Sequence, residues 1–387
     1  MGAMETTPIS SREPSAPINH LPLVLVVIGT RPEAIKLAPV ILELKRSPHL
    51  RVEVVLTGQH QDLVRPMLAL FGLTGDHDLA VMEPAQSLAS VTARILTGLD
   101  GLLLSRRPAM VVGQGDTASV LAASMASFFR QIPFAHVEAG LRTGNRLSPF
   151  PEEMNRVVTA RYSSLHFAPT EKNVESLRLE GVQPSEVWVT GNTVIDALLQ
   201  ILGGERPRLP SRGRPFLLVT VHRRENHGEP LSEICEALAE IARLYPEIDI
   251  VLPVHPNPHV CGEIETRLGS IPNVILCPPQ PYDVFCWLMR ECLLILSDSG
   301  GVQEEAPALG KPVLVLREET ERPEAVALGA NRLVGTSKSR IIEECLALLE
   351  QREVYRAMAE AGSPYGDGRA ASRISTVIEA FLHRGAV

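Results

Sequence analysis

The stretch LVLVVIGTRPEAIKLAPVILELKR, residues 23–46, decides the fold. Its first six residues form an unbroken apolar run, the mark of a strand covered on both faces. Gly29-Thr30-Arg31-Pro32-Glu33 then turns the chain, and Pro32 suits a first helical turn because its missing N–H would have no partner there. From about Glu33 to Arg46 the apolar residues recur at helical spacing. Strand, tight loop and helix therefore follow one another directly. The same rhythm predicts strands at 51–56, 109–112, 133–136, 165–168 and 187–189, with helices at 88–104, 117–129 and 172–180 between them. Residues 203–215, GGERPRLPSRGRP, interrupt it and read as a linker. The rhythm restarts with strands at 216–220, 248–254, 273–276, 293–296 and 312–316, and helices at 231–244, 259–268, 281–291, 302–309 and 339–349. The expected architecture is α/β, with domains at 23–202 and 216–369, each on a parallel sheet, and a ligand cleft between them.

The chain has 387 residues, which at about 150 per domain agrees with two domains. Lys+Arg 37 against Asp+Glu 45 gives a net charge of −8, which argues against a general nucleic-acid binder. An anion can still be held locally by a few arginines and backbone N–H groups. Six cysteines, at 235, 261, 277, 286, 292 and 345, include no CxxC pair and suit reduced thiols in the cytoplasm. No unbroken apolar run reaches about 18 residues, so no membrane insertion is expected. Residues 1–22 are rich in Pro, Ser and Thr without an apolar core, and read as a disordered tail.

Polar residues gather at the predicted strand ends. Gly113-Gln-Gly-Asp-Thr-Ala118 matches a dinucleotide fingerprint, but Asp116 at the helix start would repel a pyrophosphate. Asp116 is therefore read as a catalytic or substrate-contacting residue, with helix capping as the alternative. Arg31 offers rigid donors to a phosphate or sugar, or pairs with Glu33; Lys36 lies one turn on. If the strand at 133–136 continues, His136 and Glu138 point the same way. Glu152 and Glu153 open a helix, where acids are also favoured electrostatically. Asp116, Glu138 and Glu152 together supply carboxylates whose crowding would separate an acid from a base. A metal site built on His136, Glu138 and His166 lacks any compact ligand spacing. In the second half, His222, Arg223 and Arg224 follow a buried strand, as does His255 after another. Ser297-Asp-Ser-Gly-Gly301 turns closely into a helix where N–H groups face a phosphate, with Glu305 one turn inside. Arg317 and Arg322 join the same rim.

The ordered segments GTRPE (29–33), TGQH (57–60), GDT (115–117), HVEAGLRT (136–143), PEEMNR (151–156), HRREN (222–226), SGGVQEEAP (299–307) and TERPE (320–324) resemble the non-hydrolysing UDP-N-acetylglucosamine 2-epimerases. The resemblance covers residues 23–382. It implies two Rossmann-like domains in a GT-B arrangement, an interdomain active-site cleft, and a C-terminal helix at 370–384 that crosses back to the first domain. It implies reversible conversion of UDP-N-acetylglucosamine to UDP-N-acetylmannosamine without a required cofactor or metal, by UDP elimination to 2-acetamidoglucal and re-addition. It further implies a homodimer in polysaccharide biosynthesis. The catalytic set it implies is Asp116, Glu138, Glu152 and His222. Substrate contacts fall on Arg31, Lys36, Arg142, Ser299, Gly300, Gly301, Glu305 and Arg322. A second, allosteric UDP-sugar position would use Gln59, Arg223 and His255, although Asp62 departs from the family's usual Gln or Glu. A hydrolysing or modified-sugar epimerase, a GT-B glycosyltransferase and a non-catalytic UDP-sugar binder are the alternatives.

Overall fold

The computed structural model describes residues 21–384 apart from His60, Pro84 and the side chain of Gln61. The tail expected at 1–22 thus lies, up to residue 20, outside the described residues. The chain first runs through β1 (Leu23–Ile28), α1 (Arg31–Arg46), β2 (Arg51–Leu56), α2 (Gln61–Leu70), β3 (His77–Asp78), α3 (Leu88–Arg106) and β4 (Met110–Gln114). It continues through α4 (Ala118–Phe129), β5 (Phe134–Val137), α5 (Glu152–Tyr162), β6 (Leu165–Ala168), α6 (Glu171–Leu179), β7 (Val187–Val189) and α7 (Thr193–Leu202). These strands form one parallel sheet in the order β3-β2-β1-β4-β5-β6-β7.

The second sheet is built from β8 (Phe216–Thr220), α8 (Glu229–Leu244), β9 (Asp249–Pro253), α9 (Pro258–Leu268), β10 (Val274–Cys277), α10 (Tyr282–Glu291) and β11 (Ile295–Ser297). It is completed by α11 (Gly300–Glu305), β12 (Val313–Val315), α12 (Pro323–Leu328) and β13 (Asn331–Leu333). Its order is β10-β9-β8-β11-β12-β13, again parallel. Helices α13 (Lys338–Glu350), α14 (Arg352–Ala359) and α15 (Ala370–Arg384) end the chain. The architecture is two Rossmann-like α/β domains, as expected.

Burial explains these elements. Every residue of β1 is buried, and α1 turns Ala34, Leu37, Ala38, Ile41 and Leu44 into the core. Each larger side chain of that face stabilises the fold by about 1.5–3 kcal/mol relative to exposure. The periodicity reading leaves out β3 and β13, whose sequences, His-Asp and Asn-Arg-Leu, contain no apolar run. Both sit at sheet edges, where one neighbouring strand is enough to order them. Helix α15 packs against α1 and α7 of the first sheet's helical layer. Its first turn is capped from α7, with Asp196 accepting from the Ala370 and Ala371 N–H groups at 3.2 and 2.9 Å.

Helix α3 is long and apolar enough to cross a membrane by length and composition, with 22% of that window buried. It is not an unbroken apolar run, because Arg94 and Asp100 interrupt it. One face buries Val91, Ile95, Leu99 and Leu103, and the helix lies along α4, tied there by Arg130 to Asp100 at 2.6 Å.

In each sheet the strand order reverses once, between β1 and β4 in the first and between β8 and β11 in the second. Such a switch point sends successive connections to opposite faces and opens a crevice at the strands' carboxyl ends. The loops leaving these four strands are GTRPE, GDT, HRREN and SDSGG. Topology alone therefore brings the four polar loops to two crevices.

Candidate active site

The crevices meet in a cleft with two hollows. One, of about 280 Å³, is lined by Thr30, Pro32, Glu33, Lys36, Gln114, Asp116, Thr117, Glu138 and Arg156 from the first sheet's loops and helices, and by Arg223, Glu321 and Arg322 from the second's. The other, of about 520 Å³, is lined by Arg31, His222, His255, Phe285, Ser299 and Val302 among others. The GTRPE loop separates them, turning Thr30 and Pro32 to one side and Arg31 to the other. The HRREN loop does the same with Arg223 and His222.

The first loop can lie this deep because residue 29 is glycine. A Cβ there would come within 2.1 Å of Ser119 Oγ and 2.8 Å of Thr57 Oγ1. Glu33 anchors the loop, accepting from the Thr30 N–H at 3.0 Å and from the Gly29 N–H and Thr117 hydroxyl at 2.5 Å each. It therefore ties the GTRPE loop to the GDT loop. Burial, reinforced by the nearby Asp116 charge and only partly offset by these hydrogen bonds, lifts Glu33 to about 7. A carboxyl that holds a proton near neutrality is suited to acid–base chemistry.

Asp116 is not simply a helix cap, since Thr117 holds that position on α4. Its carboxylate accepts from Arg156 Nε at 3.0 Å, and its backbone carbonyl accepts from Asn155 Nδ2 at 2.9 Å. Arg156 is held in turn by Glu153 at 3.1 Å, and Glu153 also accepts from the Thr143 and Gly144 N–H groups at 3.0 Å. Glu153 is thus a buried anchor of the PEEMNR helix. Glu152 stands at the first position of α5, half-buried and off the wall of the smaller hollow.

The expected extension of β5 to Glu138 does not occur. The strand ends at Val137, and Glu138 adopts φ +62°, the left-handed region that a β-carbon makes unfavourable. His136 and Glu138 therefore part. His136 is buried beneath the site and donates from Nε2 to the Gly115 carbonyl at 2.7 Å. Burial pushes its pKa down to about 4, which keeps it neutral. Glu138 swings into the cleft, where Lys36 Nζ lies 2.6 Å away and Gln114 Nε2 donates to its other oxygen. Burial works against the Lys36 cation, but the charges of Glu138 and Glu304 outweigh it and raise its pKa.

Across the cleft, Asp298 organises the HRREN loop. Its carboxylate accepts from the His222, Arg223 and Asn226 nitrogens at 2.9, 2.8 and 3.0 Å, and lies 3.1 Å from His222 Nδ1. Burial opposes its charge, yet these partners hold its pKa below the ordinary carboxylate range. His222 in turn stacks on His255, with ring centroids 6.0 Å apart. At the start of α11, a Cβ on Gly300 would lie 2.6 Å from Arg322 Nη1, so glycine there admits the guanidinium. Arg322 is pinned by Glu304 at 2.6 Å. Glu305 is buried among Tyr282, Arg31 and Glu304 rather than on the wall of either hollow.

Other expected residues lie further off. Arg142 points away and forms a two-pronged pair with Glu180 at 2.6 and 2.8 Å. Gln59 is engaged by the Ser119 hydroxyl at 2.8 Å and lines neither hollow. Gly301 faces Glu305 and Ser299. Among the described residues no group of three or more His, Cys, Asp or Glu side chains is placed to hold a metal ion.

A family model described as UDP-N-acetylglucosamine 2-epimerase matches residues 42–379. The chain belongs to the UDP-N-acetylglucosamine 2-epimerase family. It is 49% identical over 363 residues to the Escherichia coli K12 UDP-N-acetylglucosamine 2-epimerase, covering 91% of this chain and 96% of that protein. The Salmonella typhimurium epimerase is 46% identical over 371 residues, at 92% and 98% coverage. The crystal structure of the Neisseria meningitidis UDP-GlcNAc 2-epimerase bound to UDP-GlcNAc superimposes with a TM-score of 0.83 at 44% identity, covering 93% of this chain and 100% of that one.

Against this epimerase framework, the residues that sequence reasoning passed over are mainly those that hold the others. Glu33 was signalled by the Thr-x-x-Glu spacing at a helix start, and Glu304 by its place beside Glu305. Arg156, Gln114, Asp298 and Asn192, whose Nδ2 donates to Glu138 at 3.3 Å, reach those partners through long-range contacts that no local pattern encodes.

Glu305 gives a pH test. Burial first, then the Glu304 charge, raises its pKa from the ordinary 4.5 to about 8. The folded state then holds a proton that the unfolded chain releases, so its contribution is present below about pH 4.5 and lost as the pH rises through about 8. The melting temperature of E305Q minus that of the wild type is expected to grow between about pH 5 and pH 8.5. A constant difference across that range would contradict the assignment.

Proposed function

We propose that this chain interconverts UDP-N-acetylglucosamine and UDP-N-acetylmannosamine without hydrolysing either. The observation that carries the reading is one hollow shared by Asp116 and Glu138 from the first sheet and Arg223 and Arg322 from the second. Carboxylates exchange protons at carbon; guanidinium groups hold a departing diphosphate. C2 of the sugar is not next to a carbonyl, so an enolate route is closed. Elimination solves this. The C2–H bond breaks as a carboxylate takes the proton, the electrons form the C1=C2 bond, and the C1–O electron pair leaves with UDP. UDP then re-adds to C1 of the glycal while a proton arrives on the opposite face of C2.

Asp116 is the leading base, kept in place by Arg156. Glu138 is the second proton carrier, and Glu33 an additional acid near neutrality. Glu152 joins them only if the α5 rim moves toward the sugar. Arg31 and His222 face the larger hollow with Ser299 and the aromatic ring of Phe285, a setting for the nucleotide. Glu305 lies beside Arg31 and Gly301 but on the wall of neither hollow, so contact with ribose hydroxyls requires the start of α11 to shift toward the nucleotide. The second UDP-sugar position implied for Gln59, Arg223 and His255 is not gathered into one pocket, since Arg223 lines the smaller hollow, His255 the larger and Gln59 neither. Six free cysteines suit a reducing compartment, and we place the reaction in the cytoplasm.

The chain is further proposed to form a homodimer through the far ends of α3 and α4. Leu104, Phe128 and Phe129 are 54%, 56% and 59% exposed, more apolar surface than solvent favours at one place. The Arg130–Asp100 pair brings these helix ends together.

Incubation with UDP-N-acetylglucosamine in D₂O, with no acceptor or cofactor added, should yield intact UDP-N-acetylmannosamine carrying deuterium at C2. Free N-acetylmannosamine would identify hydrolysis instead, and binding without turnover a UDP-sugar receptor. D116N and E138Q should each lower turnover by about 10²–10⁴-fold, and E138Q should also lower the melting temperature, because it strips Lys36 of a charged partner. In light scattering, F128D should halve the wild-type mass. An unchanged mass would remove the α3–α4 interface.

A further inference from the structure

A charged cluster bridges the two sheets beside the smaller hollow. Glu304 of α11 is 5% exposed. Its Oε1 accepts from Arg322 Nε at 2.6 Å, within its own domain. Its Oε2 faces the other domain, 3.7 Å from Lys36 Nζ and 3.3 Å from Asn192 Nδ2. The same two nitrogens grip Glu138 Oε1, at 2.6 and 3.3 Å. One cation and one amide on the first sheet therefore hold a carboxylate from each side at once. If the sheets parted, Lys36 and Asn192 would keep Glu138 but lose Glu304.

The supports are stiff. Gln303, the preceding residue, is fixed by Asn331 Nδ2 donating to its carbonyl at 3.0 Å and by the Thr320 hydroxyl donating to its side chain at 2.6 Å. On the other side, Asn192 caps α7, accepting from the Val194 N–H at 3.1 Å. While the cleft is shut, the buried Glu304 carboxylate is met by Lys36 and Asn192 as well as by Arg322, so this contact and closure form together.

We propose that Glu304 is a positioning residue that latches the two domains, keeping glycal and UDP together between elimination and re-addition. The inference rests on the elimination reading above. Between the two steps nothing covalent joins the glycal to UDP. If the domains part then, the C2 proton stays with the enzyme and later exchanges with water, and 2-acetamidoglucal and UDP leave as separate products. Arg322, facing the hollow, belongs to the same cluster, so grip on the diphosphate and closure of the cleft reinforce each other.

The test compares wild type with E304Q, which keeps the size and loses the charge, and E304A. Products formed from UDP-N-acetylglucosamine are separated and 2-acetamidoglucal is quantified against UDP-N-acetylmannosamine. The glycal fraction should rise about tenfold or more in E304Q, and further in E304A. A merely structural role would slow turnover without changing that ratio, and an unchanged ratio in both variants overturns the latch. Small-angle scattering at saturating UDP reads the latch without turnover. The wild type should be more compact than E304A, and equal radii of gyration overturn the proposal. Absence of epimer from the wild type would instead sink the functional reading.

Discussion

Glu138 and Glu304 come from different sheets and face the same lysine across a desolvated gap. Burying one carboxylate is unfavourable, and burying two side by side is prohibitive without a cation between them. Lys36 supplies that charge, Arg322 adds a second from the far side, and Asn192 offers its amide to both acids. The arrangement exists only when the domains are close. Closure and the charge state of the cleft are therefore a single event.

In the proposed reaction, proton transfer falls to one side of this line of contacts and anion binding to the other. The first sheet presents Asp116, Glu138 and Glu33, each with a different partner: a guanidinium, an ammonium, and a set of neutral donors. Among them, burial pushes Glu33 up, to about 7. The second sheet presents Arg223 and Arg322 with His222, its loop drawn tight around the buried Asp298 carboxylate. Because the strands run parallel and each order reverses once, both halves aim their loops at a common cleft.

Much of this was legible in the chain. Continuous apolar runs such as 23–28 and 216–220 can only be strands covered on both faces, so the α/β class follows from them. The polar bursts after those runs named Arg31, Asp116, His222 and Ser299 before any coordinates. Edge strands β3 and β13 were not legible, since two or three residues without an apolar run are ordered only by the strand beside them. Glu138 would share His136's direction only if the strand continued past 136, and the turn to φ +62° that sends it into the cleft has no local sequence signal. Arg142 was implied as a substrate contact by the resemblance alone, but its partner Glu180 lies 38 residues away in sequence, and such a pairing depends on the packing of α6. Glu304 and Asn192, 112 residues apart, meet only through the tertiary fold.

The account turns on where a bound sugar lies relative to the first sheet's acids. A crystal structure of the D116N variant with UDP-N-acetylglucosamine measures this directly. The account predicts the diphosphate on Arg322 and the sugar's C2 within about 3–3.5 Å of the side chain at position 116 or 138, the separation from which a proton can move. A sugar held with C2 beyond reach of both, in a cleft closed by the Lys36–Glu304 pair, would contradict it.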